Sequence, residues 1–375
     1  FIAGIGAFLL ASELGLGRMG RWFAGLCFPF SGFVVVWLQY PMGGVAVWLP
    51  MVLWLVERLM QRPSAARAAW LALVLAVMHL GGHPETAAHI LVVTGILALW
   101  RTCTGYSVPS TAANAGATCG VPQLVKIVPL GWLALAVTIS FVVAAVQLVP
   151  TAEYLRHSQA WVERAAEVRS PLEFRKPQLL AMPALALPYV YGSYLRGHPH
   201  VEKALGVENF SEIAGGYTGL ATIAVLVPLA FRTRWRHRWI WFWLSVDLVA
   251  LAATYRLPVV DNLLRLVPVL NVTQNQRLLL VVSLAHCLLG GAALDAWPEL
   301  ATAAARRFRM LLASFLVVGA VCLVGAAIAV RQAGPAIERR ATAHFEQQAR
   351  LRGLPADSLQ HRAAEMAGQA IRFFP

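Results

Sequence analysis

Apolar runs long enough to approach the thickness of a bilayer recur along the whole of this 375-residue chain, and they constrain its fold more than any other feature. Ten such blocks can be marked, at 1–11, 22–38, 42–56, 68–80, 86–100, 128–149, 213–231, 239–255, 277–294 and 310–330. A helix needs about 20 residues to cross a hydrocarbon core of about 30 Å. Several blocks are shorter than that, so a run such as 68–80 must carry its polar flanks into the membrane, shielded by neighbouring helices. Composition agrees: 58% of residues are hydrophobic and 13% charged, against about 45–50% and about 25% in soluble domains. The expectation is an all-α transmembrane bundle of about ten spans, and a soluble globular domain is excluded.

A net charge of +13 would point to nucleic acid in a soluble protein. Here the basic residues sit in short loops between apolar blocks, where they orient helices instead, and no nucleic-acid partner is expected. Call the side reached after the first block "in". The loops 12–21, 57–67, 101–127, 232–238 and 295–309 then hold fourteen Lys and Arg, whereas the outer loops 39–41, 81–85 and 256–276 hold only Arg256 and Arg265. The bias favours the bacterial cytoplasmic membrane with the Arg-rich loops inside. Four segments follow: helices at 1–149, an extracytoplasmic or interfacial subdomain at 150–212, further helices at 213–330, and an outer tail at 331–375. Segment 150–212 balances seven Lys and Arg against seven Glu, and its run LLAMPALALPYVY holds two prolines that argue against a straight span. No repeat or pair of broken helices stands out. The opening FIAGIGAFLL, without Met or a basic leader, reads as a cut from a longer protein that starts inside a helix.

The candidate chemistry gathers on the outer side. HLGGHPETAAH places His79, His83, Glu85 and His89 where the fourth block turns into the fifth, with Gly81, Gly82 and Pro84 permitting a sharp turn and Thr86 as a helix cap. Such a loop suits proton transfer or phosphate binding, or is a solvated polar turn. The string reads His83-Pro84-Glu85, so the HExxH arrangement of zinc proteases is absent. The five cysteines Cys27, Cys103, Cys119, Cys287 and Cys322 form no CxxC pair, and neither a disulfide framework nor a structural metal is expected. In AVQLVPTAEYLRHSQ, Pro150 is expected to end the apolar run and Gln147 to face other helices, while Arg156 and His157 are positioned to grip an anionic headgroup. Arg265 and Arg277 flank an outer loop with Asp261, Gln274, Asn275 and Gln276 nearby. A cation opening a helix on that side is explained by snorkelling to lipid phosphate or by a bound anion. The triplet Asn271-Val272-Thr273 carries little weight as a sequon. Asp247 and His286 lie inside apolar blocks, where ionisable groups mark function or find a polar neighbour.

Three of these segments, GGHPETAA, QLVPTAEYLRHS and QNQRLLLVVSLAHCLLGGAALD, resemble segments of the YfhO-like bacterial membrane proteins. The opening ASELGLGRMGRWFAGLCFPFSGFVVVWLQYPMGGVAVWLPMVLWLVERL resembles that family's early helices, so the likeness covers most of residues 1–330. The family is similar to the GT-C class of glycosyltransferases, which use polyprenyl-phosphate sugars to modify envelope polymers or lipids outside the cytoplasm. The resemblance implies a GT-C-like helical bundle, a polyprenyl-phosphate-linked sugar as donor, and an envelope polymer or lipid as acceptor. It implies no organic cofactor and leaves a divalent metal open. The class places its catalytic acid in the first outer loop, which would precede residue 1 here. Arg277, with Arg265 or Arg156, would neutralise the leaving phosphate, and His83 and Glu85 would line the same cavity. Two rival readings remain: a transporter or flippase using Asp247, His286 and His79, and a non-enzymatic envelope-assembly scaffold.

Overall fold

The computed structural model describes residues 1–104, 123–159, 179–188, 214–233, 237–267, 270–271 and 273–298. The tenth apolar block, the tail 331–375, most of segment 150–212 and much of loops 101–127 and 295–309 lie outside the described residues. Among the described residues every regular element is helical. The α-helices are α1 (Ile2–Glu13), α2 (Arg18–Cys27), α3 (Gly32–Val36), α4 (Pro41–Ala46), α5 (Leu49–Gln61), α6 (Ala65–Leu80), α7 (Pro84–Thr104), α8 (Gln123–Val143), α9 (Ala145–His157), α10 (Pro183–Ala186), α11 (Val227–Ala230), α12 (Trp239–Thr254), α13 (Pro258–Arg265) and α14 (Leu279–Asp295).

Each of the nine described apolar blocks is helical over much of its described length, but they do not all make spans. Four stretches are long and apolar enough to cross a membrane: Arg18–Val36, Pro41–Gln61, Pro84–Thr104 and Asn275–Asp295. The count rises to six if two bent pairs each serve as one span. The shorter apolar helices Ile2–Glu13, Ala65–Leu80 and Thr222–Thr233 fall below that length. The expected ten spans therefore become four to six across the described residues, because apolar composition marks a helix without fixing its length.

The breaks have local causes. Pro29 follows α2 directly, and a proline supplies no N–H to continue the ladder. α8 and α9 meet at 75°. The bend lies at Ala144, whose ψ of 1° leaves the helical range. Pro150 sits inside α9, which continues to His157 past the end of the apolar run. No residue of α9 is buried, and Gln147 is exposed where a helix-facing side chain was expected. α12 and α13 meet at 88°, separated by Arg256 at φ 53° and followed by Pro258. These two bent pairs are the broken helices that the sequence pattern does not reveal. In the run LLAMPALALPYVY, Leu179–Ala181 forms a 3-10 turn and α10 a single helical turn, opened by Pro183 and followed by Pro188.

The centre of the bundle is α14, in which every residue from Leu279 to Ala293 is buried. It packs on α2, α12 and α11, while α1 packs on α5 and α2, and α6 on α8. The approach of α2 to α14 is closest at Gly20 and Gly291, where a Cβ added to Gly291 would meet the Gly20 carbonyl oxygen at 2.7 Å. Small residues at helix crossings let backbones meet where lipid supplies no hydrophobic drive.

Long-range polar contacts fasten the helix ends. Asp295 accepts from the backbone N–H groups of Gly17 (2.5 Å) and Gly20 (2.8 Å), capping the start of α2 from the end of α14. Trp239 Nε1 donates to the Leu14 carbonyl at 2.8 Å, tying α12 to α1. Glu57 of α5 and Arg101 of α7 form a buried ion pair at 2.8 Å, with the guanidinium also 4.5 Å over the Trp100 ring. Each contact joins segments that the alternating loops put on one side. The outward faces stay apolar, with Trp22, Leu26, Trp70, Leu73, Ile96, Leu99, Val142, Val146 and Leu248 exposed. Apolar surface on this scale is unfavourable in water and fits lipid, so the chain is a helical membrane protein.

Candidate functional site

The turn between α6 and α7 builds the site's first half. Gly82 holds φ at 78°, a left-handed conformation that glycine adopts without steric cost. The chain then reverses, Pro84 opens α7, and His83 accepts at Nδ1 from the Thr86 backbone N–H at 3.2 Å. Thr86 Oγ1 lies 2.9 Å from the same nitrogen. His83 is therefore the cap, and Thr86, expected in that role, is buried in the first turn. A Cβ on Gly82 would have 3.8 Å to its nearest neighbour, Gln147 Nε2, so crowding is absent there. Gly82→Ala is accordingly expected to cost about 1–2 kcal/mol from the left-handed backbone alone. Thermal unfolding of the purified chain in detergent checks this, and Gly82→Asn should recover part of the loss.

The second half enters from the loop before α14. Glu85, in the first turn of α7, accepts from Arg277 Nη1 at one carboxylate oxygen and from the Gln274 backbone N–H at the other. Arg277 Nη2 donates to Gln274 Oε1 at 2.8 Å, which fixes the guanidinium from its far side. One turn along α7, His89 Nε2 lies 3.5 Å from Asn275 Oδ1, and Asn275 Nδ2 donates to the Leu270 carbonyl at 3.4 Å. The Glu85 and Arg277 side chains are only 13% and 10% exposed, so this is a largely desolvated ion pair inside a polar shell. The sequence offered snorkelling or a bound anion to explain Arg277; the structure supplies an internal carboxylate. A carboxylate held by one guanidinium and one backbone N–H defines a small anion cradle.

The remaining candidates lie elsewhere. Arg156 and His157 are exposed at the end of α9, and Arg265 is half-buried in the last turn of α13. Asp261 is buried at the start of α13. His79 is buried, neither of its ring nitrogens has a hydrogen-bond partner, and its ring centroid lies 4.7 Å from that of Phe141. Among the described residues no three His, Cys, Asp or Glu side chains converge as a metal site requires.

A separate polar cluster lies deeper. Asp247 Oδ1 of α12 stands 3.3 Å from His286 Nε2 of α14, and His286 Nδ1 stands 3.2 Å from Thr218 Oγ1. All three residues are buried. The sequence singles out Asp247 and His286 but gives no sign of Thr218, which arrives from 68 residues away. It likewise gives no sign of the Glu57–Arg101 pair, since Arg101 reads as one more orienting arginine at a helix end.

The fold and site define a helical membrane protein with a buried ion pair at one end of its bundle. Comparison with protein-family models, with curated proteins and with solved structures found no match.

Proposed function

We propose that this chain is a membrane glycosyltransferase of the GT-C kind, moving a sugar from a polyprenyl-phosphate donor to a cell-envelope acceptor at the outer face of the bacterial cytoplasmic membrane. One observation carries the reading. Two of the segments that resemble the YfhO-like family, GGHPETAA and QNQRLLLVVSLAHC, meet in space 192 residues apart at the Glu85–Arg277 pair. The third segment passes close by, with Gln147 Nε2 beside Gly82.

Location supports the same reading. Glu85 and Arg101 stand at opposite ends of α7, about 24 Å apart by helical rise. The Arg101 end joins the segment holding Arg58, Arg62 and Arg67, and positive charge favours the cytoplasm. The Glu85 end then faces outward, at the depth of lipid phosphates. In this role Arg277 and the Gln274 N–H receive the donor phosphate and neutralise it as it leaves. His83 and His89 line the approach, while Arg156, His157 and Arg265 offer cations to the lipid headgroup region.

The test is genetic. The gene is deleted in its own host and restored as wild type or as Glu85→Gln with Arg277→Gln, which keeps a neutral hydrogen-bonding pair. Loss of one envelope sugar on deletion, restored by wild type and not by the membrane-inserted double variant, is the expected result. Identical glycans in all strains would overturn the reading. Transport is the second reading, favoured by the two bent helix pairs and the buried Asp247–His286 pair. Substrate uptake into proteoliposomes without sugar transfer would favour it.

A further inference from the structure

We propose that Asp247 and His286 form a one-proton site inside the helix bundle, and that loss of its proton reverses the hydrogen bond to Thr218. The inference is independent of the glycosyltransferase reading, because the cluster shares no residue with the Glu85–Arg277 site. His286 lies nine residues beyond Arg277, about 14 Å along the helix.

The surroundings isolate the pair. Asp247 is the sole ionisable residue of α12. The elements packed against α12 and α14 carry Asp261, Arg265 and Arg277 toward one end of α14, and Glu13, Arg18, Arg21 and Asp295 toward the other. Of these, Arg277 is held by Glu85 and Asp295 by the Gly17 and Gly20 N–H groups. Between the ends the other titratable side chains are Cys27 on α2, Cys287 next to His286, and Tyr217 next to Thr218. Cys27 and Cys287 are close enough across α2 and α14 to influence each other. Among the described residues no third charge is paired with Asp247 or His286.

Two ionisable groups in an apolar interior favour their neutral sum. An acid and a base reach that sum with one shared proton, and two arrangements are possible. Either the carboxyl holds the proton and donates it to His286 Nε2, or Nε2 holds it and donates to the carboxylate. Nε2 and Asp247 Oδ1 are 3.3 Å apart but off the line of a well-formed hydrogen bond, so a small ring rotation serves the exchange. In both arrangements Nδ1 keeps its own hydrogen and donates to Thr218 Oγ1. When the shared proton leaves, the carboxylate requires the remaining hydrogen on Nε2. Nδ1 then becomes an acceptor, and the Thr218 hydroxyl must turn to donate. The proton's presence is thus written into the direction of one hydrogen bond.

The loop that carries Thr218 can respond. Gly215 and Gly216 are buried, Ser283 Oγ donates to the Gly215 carbonyl at 3.3 Å, and Gly219 adopts φ 97°. Beyond the 3-10 turn Ala214–Gly216, non-helical backbone at 217–219 reaches the middle of the most buried helix, a placement that membrane proteins tolerate where backbone lines a polar site.

The experiment uses the full chain in lipid nanodiscs with ¹⁵N-labelled histidine, and His286→Gln assigns the signal. His286 Nδ1 is expected to be protonated on the acid side of one titration step and unprotonated on the other, and Asp247→Asn is expected to lose that step. In a Leu220→Cys chain, the thiol-labelling rate is expected to change at the same pH, and adding Thr218→Val removes the change. An Nδ1 that keeps one state throughout overturns the proposal and leaves a structural hydrogen bond. A step that survives Asp247→Asn also overturns it, as does a labelling rate indifferent to pH. If Asp247→Asn fails to insert, the wild-type titration and the labelling rate decide between the same outcomes.

Discussion

Arg277→Ala is expected to lower the unfolding free energy of the bundle by about 3–5 kcal/mol, among the largest effects of any single substitution in the described chain. The reason is the partner left behind. Glu85 sits on α7 with both carboxylate oxygens engaged, one by Arg277 and one by the Gln274 backbone, and its side chain is 13% exposed. Removing the guanidinium leaves a buried carboxylate with half its partners, and releases Gln274 Oε1 as well. Unfolding in mixed micelles, followed by tryptophan fluorescence, reads this loss directly. Replacing both partners, Glu85→Gln with Arg277→Gln, removes two buried charges together and is expected to recover most of the stability. A double variant no more stable than Arg277→Ala would show that the pair's charge is not what holds the clasp.

The helical character of this chain is legible in its residues because apolar content and Pro and Gly positions act locally. Pro84 and Gly82 mark the α6–α7 turn, and the structure places both where the pattern requires. Span number is less legible. Residues 22–36 of the block 22–38 lie within the single stretch Arg18–Val36 despite the break near Pro29, whereas the block 128–149 bends at Ala144 with no proline at the break. That bend sits in the backbone at Ala144, and nothing in the apolar pattern of the block marks it. The candidate site divides in the same way. Glu85 and Arg277 stand out as charges at the ends of apolar runs, so each is visible alone. Their pairing spans 192 residues, and nothing in either segment names the other. Thr218 and Glu57 are ordinary residues in sequence, and acquire meaning only from His286 and Arg101. Arg156 and His157 are visible in sequence as a cationic stretch, and the structure places them on an exposed helix end.

Gly291→Val is expected to cost about 3–5 kcal/mol, combining overpacking at a tight crossing with the loss of charge-assisted hydrogen bonds. A Cβ at this position would stand 2.7 Å from the Gly20 carbonyl oxygen and 3.2 Å from the Gly20 Cα. Both are backbone atoms, so no side chain can turn aside and α2 must move away from α14. That movement pulls the Gly17 and Gly20 N–H groups from the Asp295 carboxylate, one turn along the same helix. The start of α2 would then lose its cap. Gly290 offers a control, because a Cβ there would meet the Phe23 ring at 2.7 Å, and a ring at the end of a side chain can shift. Gly290→Ala is therefore expected to cost less than Gly291→Ala under the same unfolding conditions. Equal losses at the two positions would mean that volume at the crossing, and not backbone contact, sets the α2–α14 distance. A larger loss at Gly291 would place the limit in the backbone itself, where glycine is the residue that lets two membrane helices meet.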